Sequence, residues 1–291
     1  MDFLQIFRNY LEDTDKSERT ISSYLIIITN FAQWLDKEKF IDDLSIVATR
    51  EIKTYRQFLI DKYAPATVNQ KLACLKTFYK FLKQRNIIKD DPAEYIKLQK
   101  IDNIKSQYLT RAEELRVMNK AKEHGARTYA LLMTFLKCGS RPSELSNLTL
   151  DCLFLEKDPT LLVKDSKRNK SRYVPIPTDA CKALKDWIEE RNKSNKIYHI
   201  RSQFVFTSQR QGKLEVRGIQ KIIEGIGKQA GVNLYCIRLR ATYANSLIQN
   251  ANIPITALAT LMGHDSIQTT SRYTTINDRD KRRFVDAISE I

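Results

Sequence analysis

The sequence predicts a mainly α protein with a small β-sheet, organised as two units. Three observations predict it. Apolar residues recur at helical spacing along most of the 291 residues. Two short β-rich runs, 161–164 and 172–176, interrupt that pattern, and both fall in the second half. The charge divides unevenly: residues 1–100 hold 17 Lys+Arg against 14 Asp+Glu, whereas residues 101–291 hold 32 against 20, most of the net +15. The length admits one large domain or two ordinary ones, either able to bury a core without disulfide or metal staples. With 42% hydrophobic and 29% charged residues and only 8 Gly and 7 Pro, collagen-like, low-complexity and disordered classes are excluded.

In the first unit, expected over 1–97, four apolar stripes follow the helical period. They are Phe3, Ile6, Phe7, Tyr10 and Leu11; Ile21, Tyr24, Leu25, Ile28, Phe31 and Leu35; Ile52, Tyr55 and Leu59; and Val68, Leu72, Leu75, Tyr79 and Leu82. Pro65 suits the first turn of the fourth helix, where its missing N–H is not needed. The opposite face of that helix carries Lys71, Lys76, Lys80 and Lys83, a row able to lie along a DNA backbone or simply to face water.

Residues 98–108 lack a period and read as an extended basic linker. Thr110 to Glu113 then has capping-box spacing and opens the second unit, 109–291. Helices are expected near 111–123, 126–138, 178–191, 217–230, 237–250, 254–262 and 279–289, with a strand candidate at Phe204–Phe206.

A surplus of +15 and a pI near 9.5 call for a polyanionic partner. Five scattered cysteines without a CxxC or Cys/His cluster signal neither a disulfide framework nor a zinc site. No basic segment followed by an apolar run opens the chain, and the run Tyr24 to Ile28 is far too short to span a membrane. A cytoplasmic protein is therefore expected.

Four segments of the second unit carry candidate chemistry. In Gly139-Ser140-Arg141-Pro142-Ser143-Glu144-Leu145, Gly ends one helix and Pro starts another, placing Arg141 at the junction with Glu144 one turn on to orient it. The run Val163 to Pro175 reads as a hairpin bearing Lys164, Lys167, Arg168, Lys170 and Arg172, cations suited to a groove or phosphate backbone. In Leu239-Arg240-Ala241-Thr242-Tyr243, an arginine lies inside an apolar helix, which is costly unless a carboxylate or phosphate pairs it. The last segment, Leu261-Met262-Gly263-His264, is followed nine residues after His264 by Tyr273. For each segment alone, a structural ion pair or a solvated surface competes with the functional reading.

Taken in order, the four segments resemble the tyrosine recombinase (phage integrase) family, of the simple two-domain, Xer-like type. The family pattern has an Arg in G-x-R-x-x-E-L, a hairpin Lys, an H-x-x-R helix, L-G-H, and a Tyr nine residues past that His. Arg141, Lys167, Arg240, His264 and Tyr273 occupy these positions, and the likeness covers residues 108–291. The first unit resembles the SAM-like core-binding domain of such enzymes, and the second their mixed α/β catalytic domain. Ile237 stands where the family has His, Ser140 and Pro142 flank the first Arg, and Met262 replaces a Leu.

The resemblance implies site-specific strand exchange through a 3′-phosphotyrosyl bond on Tyr273 and a Holliday junction in a DNA-bound tetramer. It assigns Arg141 and Arg240 to the phosphate oxygens, Lys167 to protonation of the leaving 5′-oxygen, and His264 to positioning the phosphate. The expected partner is double-stranded DNA, and no cofactor, ATP or metal is expected. Two alternatives remain at this point. One is an accessory DNA-binding protein attenuated by Ile237, and the other a topoisomerase IB-like strand-passing enzyme. The tail from Thr274 to Ile291 is expected to hold a helix, either packed on its own domain or, as the resemblance implies, docked on a neighbouring subunit.

Overall fold

The computed structural model describes residues 2–101, 107–165, 170–208, 210, 212–251, 253–263 and 270. It divides into two compact units, Met1–Asp102 and Asn103–Ile291.

Four helices build the first unit: α1 (Phe3–Asp13), α2 (Glu18–Lys39), α3 (Thr49–Lys62) and α4 (Pro65–Gln84). The side chain of Asp2 accepts from the amides of Leu4 and Gln5, and Ser17 accepts from Thr20, satisfying N–H groups that a helix start leaves without partners. Each expected stripe faces inward. Phe7 of α1 meets Phe78 of α4 edge-on at 5.1 Å between ring centres, and Phe31 of α2 meets Tyr55 of α3 at 4.7 Å. All four rings are buried.

The first part of the expected linker is held by the first unit. Arg56 Nε donates to the carbonyl of Lys97, and Asn69 exchanges two hydrogen bonds with the backbone of Gln99.

The second unit opens with α5 (Arg111–Glu123), capped reciprocally by Thr110 and Glu113. Then come α6 (Ala126–Cys138), the short α7 (Pro142–Ser146), a 3₁₀ turn at Leu150–Cys152, and an antiparallel sheet in the order β1 (Leu153–Phe154), β2 (Thr160–Asp165), β3 (Lys170–Pro175). The remaining described helices are α8 (Thr178–Asn192), α9 (Ile197–Ile200), α10 (Val216–Ala230), α11 (Cys236–Ala251) and α12 (Ile255–Met262). Helix α6 runs through the centre, with every residue from Ala130 to Leu136 buried against α5, α8 and α11.

The strand expected at Phe204–Phe206 forms only a single bridge, Phe204 with Thr149. Its backbone is satisfied piecemeal instead: the Val205 amide donates to Leu148, its carbonyl accepts from Trp187 Nε1, and the Phe206 carbonyl accepts from Leu214. All five cysteines are buried free thiols. The helix expected over 279–289 lies outside the described residues.

Candidate active site

Helix α6 stops at Gly139, which takes the left-handed conformation (φ +60°) that a side chain resists. The chain turns through Ser140, and Arg141 precedes Pro142 as the cap of α7. Glu144, one turn on, accepts the Arg141 amide at 2.7 Å and its Nη1 at 2.8 Å. Backbone and guanidinium of Arg141 are thus fixed by one carboxylate.

Arg240 reaches the same junction from α11. Its Nη1 donates to the carbonyl of Gly139 and its Nη2 to that of Met262, and the side chain is buried. The start of α11 is anchored by Arg238, whose Nη2 lies 2.9 Å from both carboxylate oxygens of Glu113.

A third arginine completes the cluster. Arg172 of β3 donates Nη1 and Nη2 to the two oxygens of Glu144 at 3.0 Å each, and Nε to the carbonyl of Leu261 at 3.1 Å. Three successive carbonyls at the end of α12 are therefore each taken by a different arginine: Leu261 by Arg172, Met262 by Arg240, and Gly263 by Arg141 at 2.9 Å. A helix C-terminus leaves such carbonyls without partners and carries the negative end of the helix dipole, so it draws three guanidinium groups together. One carboxylate and one helix end face three cations, leaving the cluster positive and suited to an anion.

Burial pushes the Glu144 carboxyl up, but the hydrogen bonds and charge of Arg172, and then those of Arg141, outweigh it and hold the group below the usual carboxylate range. Burial, followed by the proximity of Cys138, pushes the Tyr243 phenol up to about 12, against the pull of Arg240 and Arg172.

Of the residues singled out by sequence, Arg141, Glu144 and Arg240 come together here. Lys167, Arg168, His264 and Tyr273 lie outside the described residues, as does the side chain of Lys170. Lys164 is exposed and pairs with Asp151 at 3.1 Å. In the first unit, Lys71 lies over the Tyr63 ring at 4.9 Å, Lys76 donates to the carbonyl of Glu94, and Lys83 is 3.8 Å from the Glu94 carboxylate, while Lys80 is exposed. Ile237 points to solvent, 66% exposed.

Arg172, expected to face phosphate with the other hairpin cations, is turned inward instead. Its strand alternates: Ser171 and Tyr173 are exposed, Val174 is fully buried, and Arg172 shares the face of Val174 opposite Val163. That period of two is visible in Arg-Tyr-Val-Pro and is the signal that the charge count of the hairpin hides. Among the described residues no cluster of three or more His, Cys, Asp or Glu could hold a metal, and no helix is long and apolar enough to cross a membrane.

Residues 107–280 match the phage integrase family, and residues 3–89 match the phage integrase N-terminal SAM-like domain. Among curated relatives, the tyrosine recombinase XerC of Bacillus subtilis (strain 168) is 28% identical, the alignment covering 94% of this chain and 92% of the relative. The XerC of Leptospira interrogans serogroup Icterohaemorrhagiae serovar Lai (strain 56601) is also 28% identical, over 93% of this chain and 88% of the relative. The fold is shared with the Tn1549 transposon integrase solved with transposon right end DNA (TM-score 0.80, 17% identity, 99% of this chain and 100% of that one). It is shared too with the XerH site-specific recombinase bound to difH substrate (TM-score 0.73, 20% identity, 96% of this chain and 84% of that one).

Proposed function

The chain belongs to the phage integrase family and is a tyrosine recombinase, and we propose that it cuts and rejoins duplex DNA at a specific site through Tyr273. The observation that supports this reading most is the convergence of Arg141 and Arg240 on adjacent carbonyls, those of Gly263 and Met262, immediately before His264. Among the described residues, Arg141 meets acceptors with only two of its five N–H donors, so it keeps donors for a phosphate.

In the proposed reaction the Tyr273 oxygen attacks the scissile phosphorus as the bond to the 5′-oxygen breaks. The phenolic proton leaves to a base, and Lys167 supplies a proton to the departing 5′-oxygen. Arg141 and Arg240 stabilise the charge on the non-bridging oxygens in the transition state, and His264 positions the phosphate. The phosphotyrosyl bond retains the energy for rejoining, so the reverse attack by a 5′-hydroxyl of the partner strand completes exchange. The resemblance further supports a DNA-bound homo-tetramer passing through a Holliday junction and a cytoplasmic location, and the charge pattern of α4 and of the hairpin supports phosphate contacts from Lys80, Lys164, Arg168 and Lys170.

A second reading, an attenuated DNA-binding protein, is favoured by one observation: the exposed Ile237 offers no proton acceptor where the family has His. The test that separates these readings uses a plasmid carrying two copies of the DNA segment that the protein protects from nuclease. Recombination predicts Holliday junctions and exchanged products that depend on both copies. Relaxation of supercoils without the segment would assign a topoisomerase-like activity, and binding without any exchange would assign the accessory role.

A further inference from the structure

Arg172 combines three features that a phosphate-contacting cation on a hairpin does not need. It makes a two-pronged pair with a carboxylate, it donates a third hydrogen bond to a helix-end carbonyl, and it is 17% exposed where Arg141 is 38% exposed. The turn after α12 is shaped around it. A Cβ on Gly263 would stand 2.7 Å from Arg172 Nη1 and 3.0 Å from Cζ, and Gly263 itself is left-handed at φ +61°. The guanidinium therefore joins three separate pieces of the site: β3, the α7 cap through Glu144, and the α12 end through Leu261. A lysine offers one point charge and cannot reproduce the planar fork together with the Nε bond.

From this geometry we infer that Arg172 is a positioning residue for strand cleavage, fixing Glu144 and the Leu261–Gly263 turn so that Arg141 and Arg240 are set for one phosphate. The inference rests on the recombinase reading and adds to it a residue that acts through another. It also removes Arg172 from the set of DNA contacts.

Among the described residues, the charged groups bonded to Glu144 are Arg141 from the start of α7 and Arg172 from β3, and Asp151, Cys152 and Lys164 line the same cavity, with Asp151 and Lys164 paired to each other. From α12 the carbonyl of Leu261 accepts Nε of Arg172. Once Arg172 is removed, burial of the carboxyl is opposed by Arg141 alone, so Glu144 takes a proton at higher pH than in the wild type.

Full-length wild type, Arg172→Lys, Arg172→Gln, Glu144→Gln and the double variant Glu144→Gln with Arg172→Lys separate the possibilities. DNA affinity against salt, single-turnover cleavage of a nicked substrate, and melting against pH are measured for each. Arg172→Lys is expected to keep the affinity and salt slope while cleaving ~100-fold more slowly, the effect of misplacing groups already bound. In the Glu144→Gln background the same change is expected to add little, since coupled residues are not additive. Cleavage by Arg172→Gln should fall as pH is lowered through a range where the wild type is flat.

A salt slope reduced by about one in the neutral variant Arg172→Gln would identify Arg172 as a phosphate contact and overturn the inference. Equal losses in both backgrounds would also overturn it, because Arg172 would then act independently of Glu144. If the wild type formed no adduct, the recombinase reading would fail. The melting profiles would still decide whether Arg172 keeps Glu144 ionised, and identical acid limbs in wild type and Arg172→Gln would contradict that.

Discussion

A Cβ on Gly139 would run into Cδ1 of the Tyr243 ring, so the end of α6 and the middle of α11 meet at a point where only glycine fits. The same residue must be left-handed, and its carbonyl receives Nη1 of Arg240. The position of the second arginine is thus set by a backbone contact that the first segment provides. Gly139→Ala is expected to destabilise the second unit by ~2–4 kcal/mol, the sum of a left-handed penalty and overpacking, and to slow cleavage beyond any loss of folded protein. Denaturant unfolding, with cleavage corrected for the folded fraction, measures both.

Arg240 is buried and grips two carbonyls from different helices, so its charge is fixed before any DNA arrives. Arg240→Lys keeps the charge but not the two-directional grip. Cleavage is expected to fall by ~10²–10³, the scale of losing one transition-state donor, with DNA affinity changed little. Single-turnover rates at saturating DNA separate this from a binding defect, which would appear instead as a shift in half-saturation.

Ile237 is exposed, so placing a histidine there disturbs no packing. Ile237→His is expected to raise the cleavage rate, by up to the ~10²–10⁴ that a general base contributes. The gain should grow as pH rises through about 6.5, where imidazole becomes neutral and able to accept the phenolic proton. A rate unchanged across that pH range would show that another group already takes the proton.

The lysine row on α4 is not uniform. Lys71 and Lys76 are engaged within the unit, by a tyrosine ring and a backbone carbonyl, whereas Lys80 is exposed. Lys80→Ala should weaken DNA binding across sequences and lower the salt slope by about one, while Lys76→Ala should act mainly on the stability of the first unit. Binding titrations at several salt concentrations, paired with thermal melts, distinguish the two.

How much of this was legible in the sequence depended on the length of the signal. Stripes such as Ile21 to Leu35 repeat over several turns and place their helices to within a few residues. The two residues of β1 and the four of α9 are too short for any period to register. Phe204–Phe206 has strand composition, yet its partners are scattered over Leu148, Trp187 and Leu214, which no local pattern encodes. Arg141, Glu144 and Arg240 were found through motif spacing. Arg172 carries the same charge as its hairpin neighbours, and strand parity alone sets it apart from them. Its partner Glu144, 28 residues away, is visible only in the fold.

Strand exchange by this chain requires a covalent bond between Tyr273 and DNA, and trapping that bond tests the proposed chemistry directly. A nicked substrate containing the protected segment, which loses a short fragment after cleavage, should leave protein attached to a 3′-phosphate with a free 5′-hydroxyl released. Mass spectrometry should place the attachment on Tyr273, and Tyr273→Phe should bind the substrate without forming the adduct. An adduct on another residue, one that survives Tyr273→Phe, or attachment to a 5′-phosphate would contradict the account.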